Sequence, residues 1–227
     1  MTIVAVTGLQ REAAIAARAG VATIACAGNS AQLNEKLRKI AKIEGIISIG
    51  VAAGLAPGLK PGSCVIASEV VNGAKHFAAD DTWRHRISAK LPSASVERIA
   101  GTSNILASLE AKAGLYRATG AAAADMESHI AAAFAAEQKI PFAALRIVAD
   151  PAESTLPPAA LNALSTDGRI RYGAVLGSIA RHPGQIPALM RTAGESRIAF
   201  RELLRCVGAL GPLLAAPDFG KFLLDMG

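Results

Sequence analysis

GAAAADMESHIAAAFAAEQKIPFAALRIVAD, residues Gly120 to Asp150, is the stretch on which the reading of this chain turns. An alanine run ends on Asp125, and Met126 and Glu127 lead into an alanine-rich helix running to about Lys139. Ile140-Pro141 then turns the chain into the apolar run Phe142–Ala149, which Asp150 closes. A continuous apolar strand is what a parallel sheet covered on both faces uses. Ligands of such sheets collect at the carboxyl ends of strands and at the helix starts that follow. Asp125, Glu127 and Asp150 are therefore expected to face one crevice. Arg146 is the one charge inside the strand; buried there, it needs a carboxylate partner, and one of these acids would serve.

Towards the N-terminus the pattern alternates. Thr2–Thr7 reads as a strand and Leu9–Ala19 as a helix carrying Glu12 in its first turn, where an acid also complements the helix dipole. Val21–Cys26 reads as a strand, Ala31–Lys42 as a helix and Gly45–Gly50 as an apolar strand. The loop Val51–Lys60 (VAAGLAPGLK) is built of small residues that let backbone approach a ligand, and Ser63–Val71 is a further strand. Asn72–Ser95 is polar and reads as an irregular surface loop half-packed by Trp83. Val96–Thr102 is read as a strand and Asn104–Lys112 as a short helix or turn. After Asp150 come a proline-marked loop, a turn or short helix at Ala159–Leu164, a basic segment and an apolar tail. The expected fold is a three-layer α/β/α domain with a central, mostly parallel mixed sheet. Residues 1–190 form that domain, and 191–227 are expected as a C-terminal helical appendage of it.

Composition narrows the class. The chain has 227 residues, 52% hydrophobic and only 4% aromatic, which suits helices packed closely on a sheet. The formal charge is +6, concentrated between Arg169 and Arg205, where seven arginines face only Glu195 and Glu202. Such a segment suits phosphates or an anionic surface as well as a plain solvated face. Three widely spaced cysteines, Cys26, Cys64 and Cys206, indicate neither a disulfide framework nor a zinc site, which fits a reduced cytoplasm. Arg11, Glu12 and Arg18 interrupt the apolar start, so no signal peptide is expected, and no apolar run reaches the roughly 18–20 residues of a spanning helix.

Three separated motifs resemble one family. Asp125-Met126-Glu127, followed by Ile140-Pro141-Phe142 and by Arg146–Asp150, is similar to the nucleoside phosphorylase superfamily, and most to its methylthioadenosine/S-adenosylhomocysteine nucleosidases. The loop Gly50–Lys60 and the start Ile3–Ala13 resemble that branch as well, the latter placing Glu12 on its catalytic glutamate. Val51, Asn104 and Ala149 depart from it, standing where the branch has a serine, a stacking phenylalanine and a second serine. The basic, apolar C-terminal third looks like the hopanoid-associated phosphorylases, which act on the lipid-linked nucleoside adenosylhopane.

The resemblance implies cleavage of a purine N-glycosidic bond, with Asp150 protonating the leaving base and Glu12 activating the nucleophile. Glu127 and Met126 would hold the ribose, with Asp125 beside them at the substrate, Arg146 would orient one of the crevice acids, and Asn104 and Ile105 would meet adenine. Val51, Ala52 and Ala53 would line the loop beside the substrate. Subgroup likeness favours phosphorolysis of adenosylhopane, with phosphate as co-substrate, no metal and no other cofactor; Arg11 offers one cation for phosphate. The alternatives are hydrolysis of methylthioadenosine, S-adenosylhomocysteine or similar soluble nucleosides, and a silent module that docks on membranes. A homo-oligomer is implied, without nucleic acid, in the cytoplasm or at the periphery of the inner membrane.

Overall fold

The computed structural model describes residues 2–161 and 172–218. Its strands are β1 (Ile3–Thr7), β2 (Ala22–Ala25), β3 (Gly45–Gly54), β4 (Cys64–Asn72), β5 (Lys75–Ala78), β6 (Ser95–Gly101), β7 (Ala123–Asp125) and β8 (Phe142–Asp150). Its α-helices are α1 (Gln10–Ala16), α2 (Ser30–Arg38), α3 (Asp81–Lys90), α4 (Leu109–Thr119), α5 (Ser128–Gln138), α6 (Pro158–Leu161), α7 (Tyr172–Arg181) and α8 (Ile186–Leu210). One mixed sheet runs β2-β1-β3-β7-β6-β4-β5, and β8 pairs with both β3 and β4. The circuit β3-β7-β6-β4-β8 therefore closes on itself. The β3–β8 pairing is parallel from Ile46↔Phe142 onward and shifts register between Ala52 and Ala53, beside Asp150.

β8 sits at the centre because both of its faces are apolar. Ala143, Leu145, Ile147 and Ala149 point into a core with Ile15 of α1, Trp83 and Ile87 of α3, and Phe200 and Leu203 of α8. Phe142, Ala144 and Val148 point into a second core with Leu33 and Leu37 of α2 and Ile130 and Phe134 of α5. This is the period-two alternation of a strand serving two helical layers, so the three-layer reading holds. Among the described residues no helix is long and apolar enough to cross a membrane.

Three readings are corrected. Asn72–Ser95 is ordered as β5 and α3, and Trp83 is fully buried, its indole Nε1 donating to Leu214 O at 2.9 Å. Asp80 caps that helix by accepting from Trp83 N at 2.8 Å, and Trp83, Ile87 and Leu91 then fall on one inward face. β3 continues through Val51–Gly54 where a loop was expected, since β7 pairs with Ala53 and Gly54. The short helix expected at Asn104–Lys112 begins instead at Leu109, where Ser108 accepts from Ala111 N at 3.1 Å.

α8 crosses the expected boundary between residues 190 and 191, and its Ala199, Phe200, Leu203, Cys206 and Leu210 belong to the core against β8. Of the basic segment, Arg169 and Arg171 lie outside the described residues, as do residues 162–164 of the expected turn and 219–227 of the tail. Arg205 pairs with Glu202 at 2.6 Å, and Arg191 donates to Thr155 O at 3.2 Å.

Trp83→Ala should lower the unfolding free energy by about 3–5 kcal/mol and Trp83→Phe by about 1–2 kcal/mol, the latter mainly from the orphaned Leu214 carbonyl. Urea unfolding followed by circular dichroism checks both values.

Candidate functional site

The cavity lies at the carboxyl ends of β3, β7 and β8, with a volume of about 240 Å³. Glu12, Asp125, Glu127 and Asp150 all line it, although they come from α1, β7, the start of α5 and β8. Val51, Ala52 and Ala53 of β3 form one wall, and Met126, Thr102, Asn104 and Ile105 form another. Thr192 and Ser196 of α8 complete it. Of the residues expected at the site, Arg146 and the candidate phosphate cation Arg11 do not line the cavity; Arg146 pairs with Asp125, which does.

Glu12 is held by three backbone amides. Gly8 N and Leu9 N donate to its Oε2 at 2.9 and 2.7 Å, and Val51 N donates to Oε1 at 2.7 Å. It therefore does serve its own helix start, through Leu9, while also bridging to β3. Gly50 and Gly8 make this corner possible. A Cβ on Gly50 would stand 2.7 Å from the Glu12 carboxylate, and one on Gly8 would stand 2.9 Å from Glu127 Oε1. Burial raises the Glu12 carboxyl above its ordinary range, and the Val51 and Leu9 amides pull it part of the way back.

Asp125 and Arg146 form a buried ion pair. Arg146 also donates to Ser48 Oγ at 2.5 Å and Ser128 Oγ at 3.0 Å, and Ser128 Oγ donates to Asp125 Oδ2 at 2.7 Å. Ser128 N reaches Asp125 Oδ1 at 3.2 Å, so Asp125 also starts α5. Glu127 follows two residues on and is pushed up to about 8, first by burial and then by the Asp125 charge, with Arg146 opposing.

Asp150 has a partner that the sequence reading missed. Lys112 of α4 is fully buried, and its Nζ stands 2.7 Å from Asp150 Oδ2 as an ion pair, off-line for a hydrogen bond. The same Nζ donates to Pro151 O and Ser154 O, both at 2.7 Å. Both Asp150 oxygens are buried with no hydrogen-bond partner, so Oδ2 has only the ion pair with Lys112. Burial raises the Asp150 carboxyl, and Lys112 lowers it by a lesser amount. One signal was present in the sequence: Lys112 shares a helix face with Leu115 and Tyr116, which pack inward. Ser48, Ser128, Thr192 and Ser196 carried no such signal.

A family model described as the phosphorylase superfamily matches residues 4–164. The chain belongs to the phosphorylase superfamily. It is accordingly an enzyme of the class that cleaves nucleoside N-glycosidic bonds. No curated protein sequence matches the chain. Among solved structures it resembles futalosine hydrolase of Helicobacter pylori strain 26695, with a TM-score of 0.66 and 12% identity over 92% of this chain and 97% of that one. It also resembles the methylthioadenosine/S-adenosylhomocysteine nucleosidase of Neisseria meningitidis in complex with methylthio-immucillin-A, with a TM-score of 0.64 and 16% identity over 92% and 97%. The corresponding nucleosidase of S. pneumoniae, with a transition-state inhibitor, has a TM-score of 0.62 and 15% identity over 92% and 100%. At these identities the structural likeness establishes the phosphorylase-superfamily fold.

The raised Glu127 carboxyl makes a stability prediction with a definite sign. The folded state keeps this proton up to about pH 8, whereas the unfolded chain releases it near the ordinary glutamate value of 4.5. Its contribution is therefore fully present below about 4.5 and is lost as pH rises through about 8. Each pKa unit is worth about 1.4 kcal/mol, and 1 kcal/mol moves Tm by roughly 2–4 °C at this size. The Tm of wild type should fall between pH 5 and pH 8 by several degrees more than that of Glu127→Gln, as measured by scanning calorimetry.

Proposed function

We propose that this enzyme releases adenine from an adenine nucleoside by attack of water on the ribose carbon. The observation that carries this reading is the meeting of Glu12, Glu127 and Asp150 around one cavity, each raised by burial and each opposed by different neighbours. Bond breaking leaves positive charge on the ribose and negative charge on the departing base. Asp150, whose carboxyl is raised by burial against the opposing pull of Lys112, would give its proton to purine N7. Asn104, Ile105 and Thr102 would face the base, and Met126 the sugar. Glu127 would take hydrogen bonds from the ribose hydroxyls, which relieve the desolvation that pushes it up. Asp125, fixed by Arg146, sets the place of Met126 and Glu127. Glu12, beside Val51, would accept the proton of the attacking water.

Subgroup resemblance favours phosphate as the attacking group, and the occupied amides beside Glu12 favour water. The amides of Gly8, Leu9 and Val51 are the donors a phosphate would use at such a corner, and the Glu12 carboxylate already occupies them. Arg11, the candidate cation, instead stacks its guanidinium 4.2 Å from the ring centroid of Phe200.

A lipid-linked nucleoside such as adenosylhopane stays in the proposal as the finer substrate. What supports it is an apolar side of the cavity, with Ile105 39% exposed and with Leu106 and Leu156 also lining it. The homo-oligomer and the peripheral membrane contact stand beside it as expectations from the resemblance.

Adenine release from adenosylhopane and from methylthioadenosine, each with and without phosphate, tests this reading. Release that does not depend on phosphate is expected, and an absolute phosphate requirement overturns the choice of water. No adenine under any condition overturns the reaction. Asp150→Asn and Glu12→Gln should each lower kcat by about 10²–10⁴-fold in this assay.

A further inference from the structure

We propose that Lys112 is a positioning residue for Asp150. Its ammonium group holds Oδ2, leaves Oδ1 to carry the proton that goes to the departing base, and compensates the carboxylate left behind. This rests on the reading of Asp150 as the proton donor.

A lysine is rarely buried outright unless its charge has an assigned partner, and Lys112 has no exposed surface. Its ammonium group makes two hydrogen bonds and one ion pair. The hydrogen bonds go to Pro151 O and Ser154 O at 2.7 Å, and the ion pair is with Asp150 Oδ2 at 2.7 Å. The two carbonyls belong to the turn that leaves β8, so one ammonium group ties down both the acid and the chain beyond it. Residue 149, next to the acid, is Ala and offers no hydroxyl for this purpose. Neither Asp150 oxygen has a hydrogen-bond partner although Asp150 lines the cavity; Oδ2 faces the Lys112 ammonium and Oδ1 faces no charge, which is the condition of a group whose partner arrives with the substrate.

The proton-transfer step balances without any further reactant. The Oδ1–H bond breaks as an N7–H bond forms, and the electron pair of the C–N glycosidic bond moves onto the base. The new carboxylate then lies beside an ammonium that was positive throughout. A neighbouring cation makes a carboxyl a stronger acid, while burial alone would keep it protonated but reluctant to give the proton up. The other charged groups around this pair are Glu195 and Arg191 on α8 and Glu153 in the turn. Glu195 and Arg191 stand 3.9 Å apart and act on Asp150 with opposite signs, and Glu153 is lowered first by the Gly58 amide and least by Lys112. Lys112 is the larger influence on the acid.

The test uses Lys112→Gln, which keeps a donor for the carbonyls and removes the charge. In protein labelled with ¹³C at aspartate carboxyls, with Asp150 assigned by its loss in Asp150→Asn, the Asp150 titration midpoint should rise by about 1–3 units in the variant. With adenosine the variant should lose kcat by about 10²-fold at neutral pH, and its alkaline limb should move up with that midpoint. With 7-methyladenosine, whose base leaves without taking a proton, turnover should stay near wild type. An unmoved midpoint, or equal losses on both substrates, overturns the proposal, because a purely structural lysine would slow both alike. Should the variant fail to fold, the wild type suffices. The ¹⁵N signal of Lys112 Nζ should move with the midpoint of the Asp150 carboxyl, and independent midpoints overturn the coupling. A wild type silent towards every nucleoside, adenosylhopane included, removes the reaction itself. An unmoved midpoint in an active wild type and variant removes only the role of Lys112.

Discussion

A guanidinium in the middle of a strand that is buried on both faces is the constraint from which the rest of this structure follows. Arg146 cannot reach water, so the fold must bring it a carboxylate and further hydrogen-bond acceptors. Asp125 supplies the charge, and Ser48 and Ser128 supply the remaining contacts. Breaking such a pair from one side leaves a lone buried charge, at a cost of about 3–5 kcal/mol. The pair therefore pins β7 and the start of α5 to β8. Glu127 lies two residues beyond one partner and Asp150 four residues beyond the other, so a structural ion pair sets the spacing of the site.

The same economy of charge governs the cavity. Four carboxyl groups line one hollow, and each is treated differently by its surroundings. Asp125 is matched by a guanidinium, and Glu12 by three amides. Glu127 is left to burial and to a negative neighbour, while Asp150 is buried against an ammonium. Divergent environments for similar groups are how one site can hold both acids and bases at a single pH. Gly8 and Gly50 permit the crowding, since a methyl group at either position would strike a carboxylate.

Much of this was legible along the chain. The strand Phe142–Asp150 announces its burial by being apolar without alternation, and Arg146 announces a partner by interrupting it. Trp83 was misread because the polar residues around it outnumber the apolar ones, although Trp83, Ile87 and Leu91 already have the spacing of an inward helix face. Lys112 was missed because its partners, Asp150, Pro151 and Ser154, are about forty residues away and share no spacing with it. Thr192 and Ser196 were missed because small polar residues on an amphipathic helix look the same whether they meet water or a cavity.

By itself the sequence determined the alternation of strands and helices, the central strand, the motifs of the superfamily and the acids at strand and helix ends. Those are local properties, set by side-chain periodicity and by where backbone groups go unpaired. Only the tertiary structure decided that the sheet closes through β8, that α8 forms a wall of the cavity, and that Lys112 meets Asp150. Such choices depend on which distant surfaces bury one another, and a buried charge finds its partner by position in space, whatever its distance along the chain.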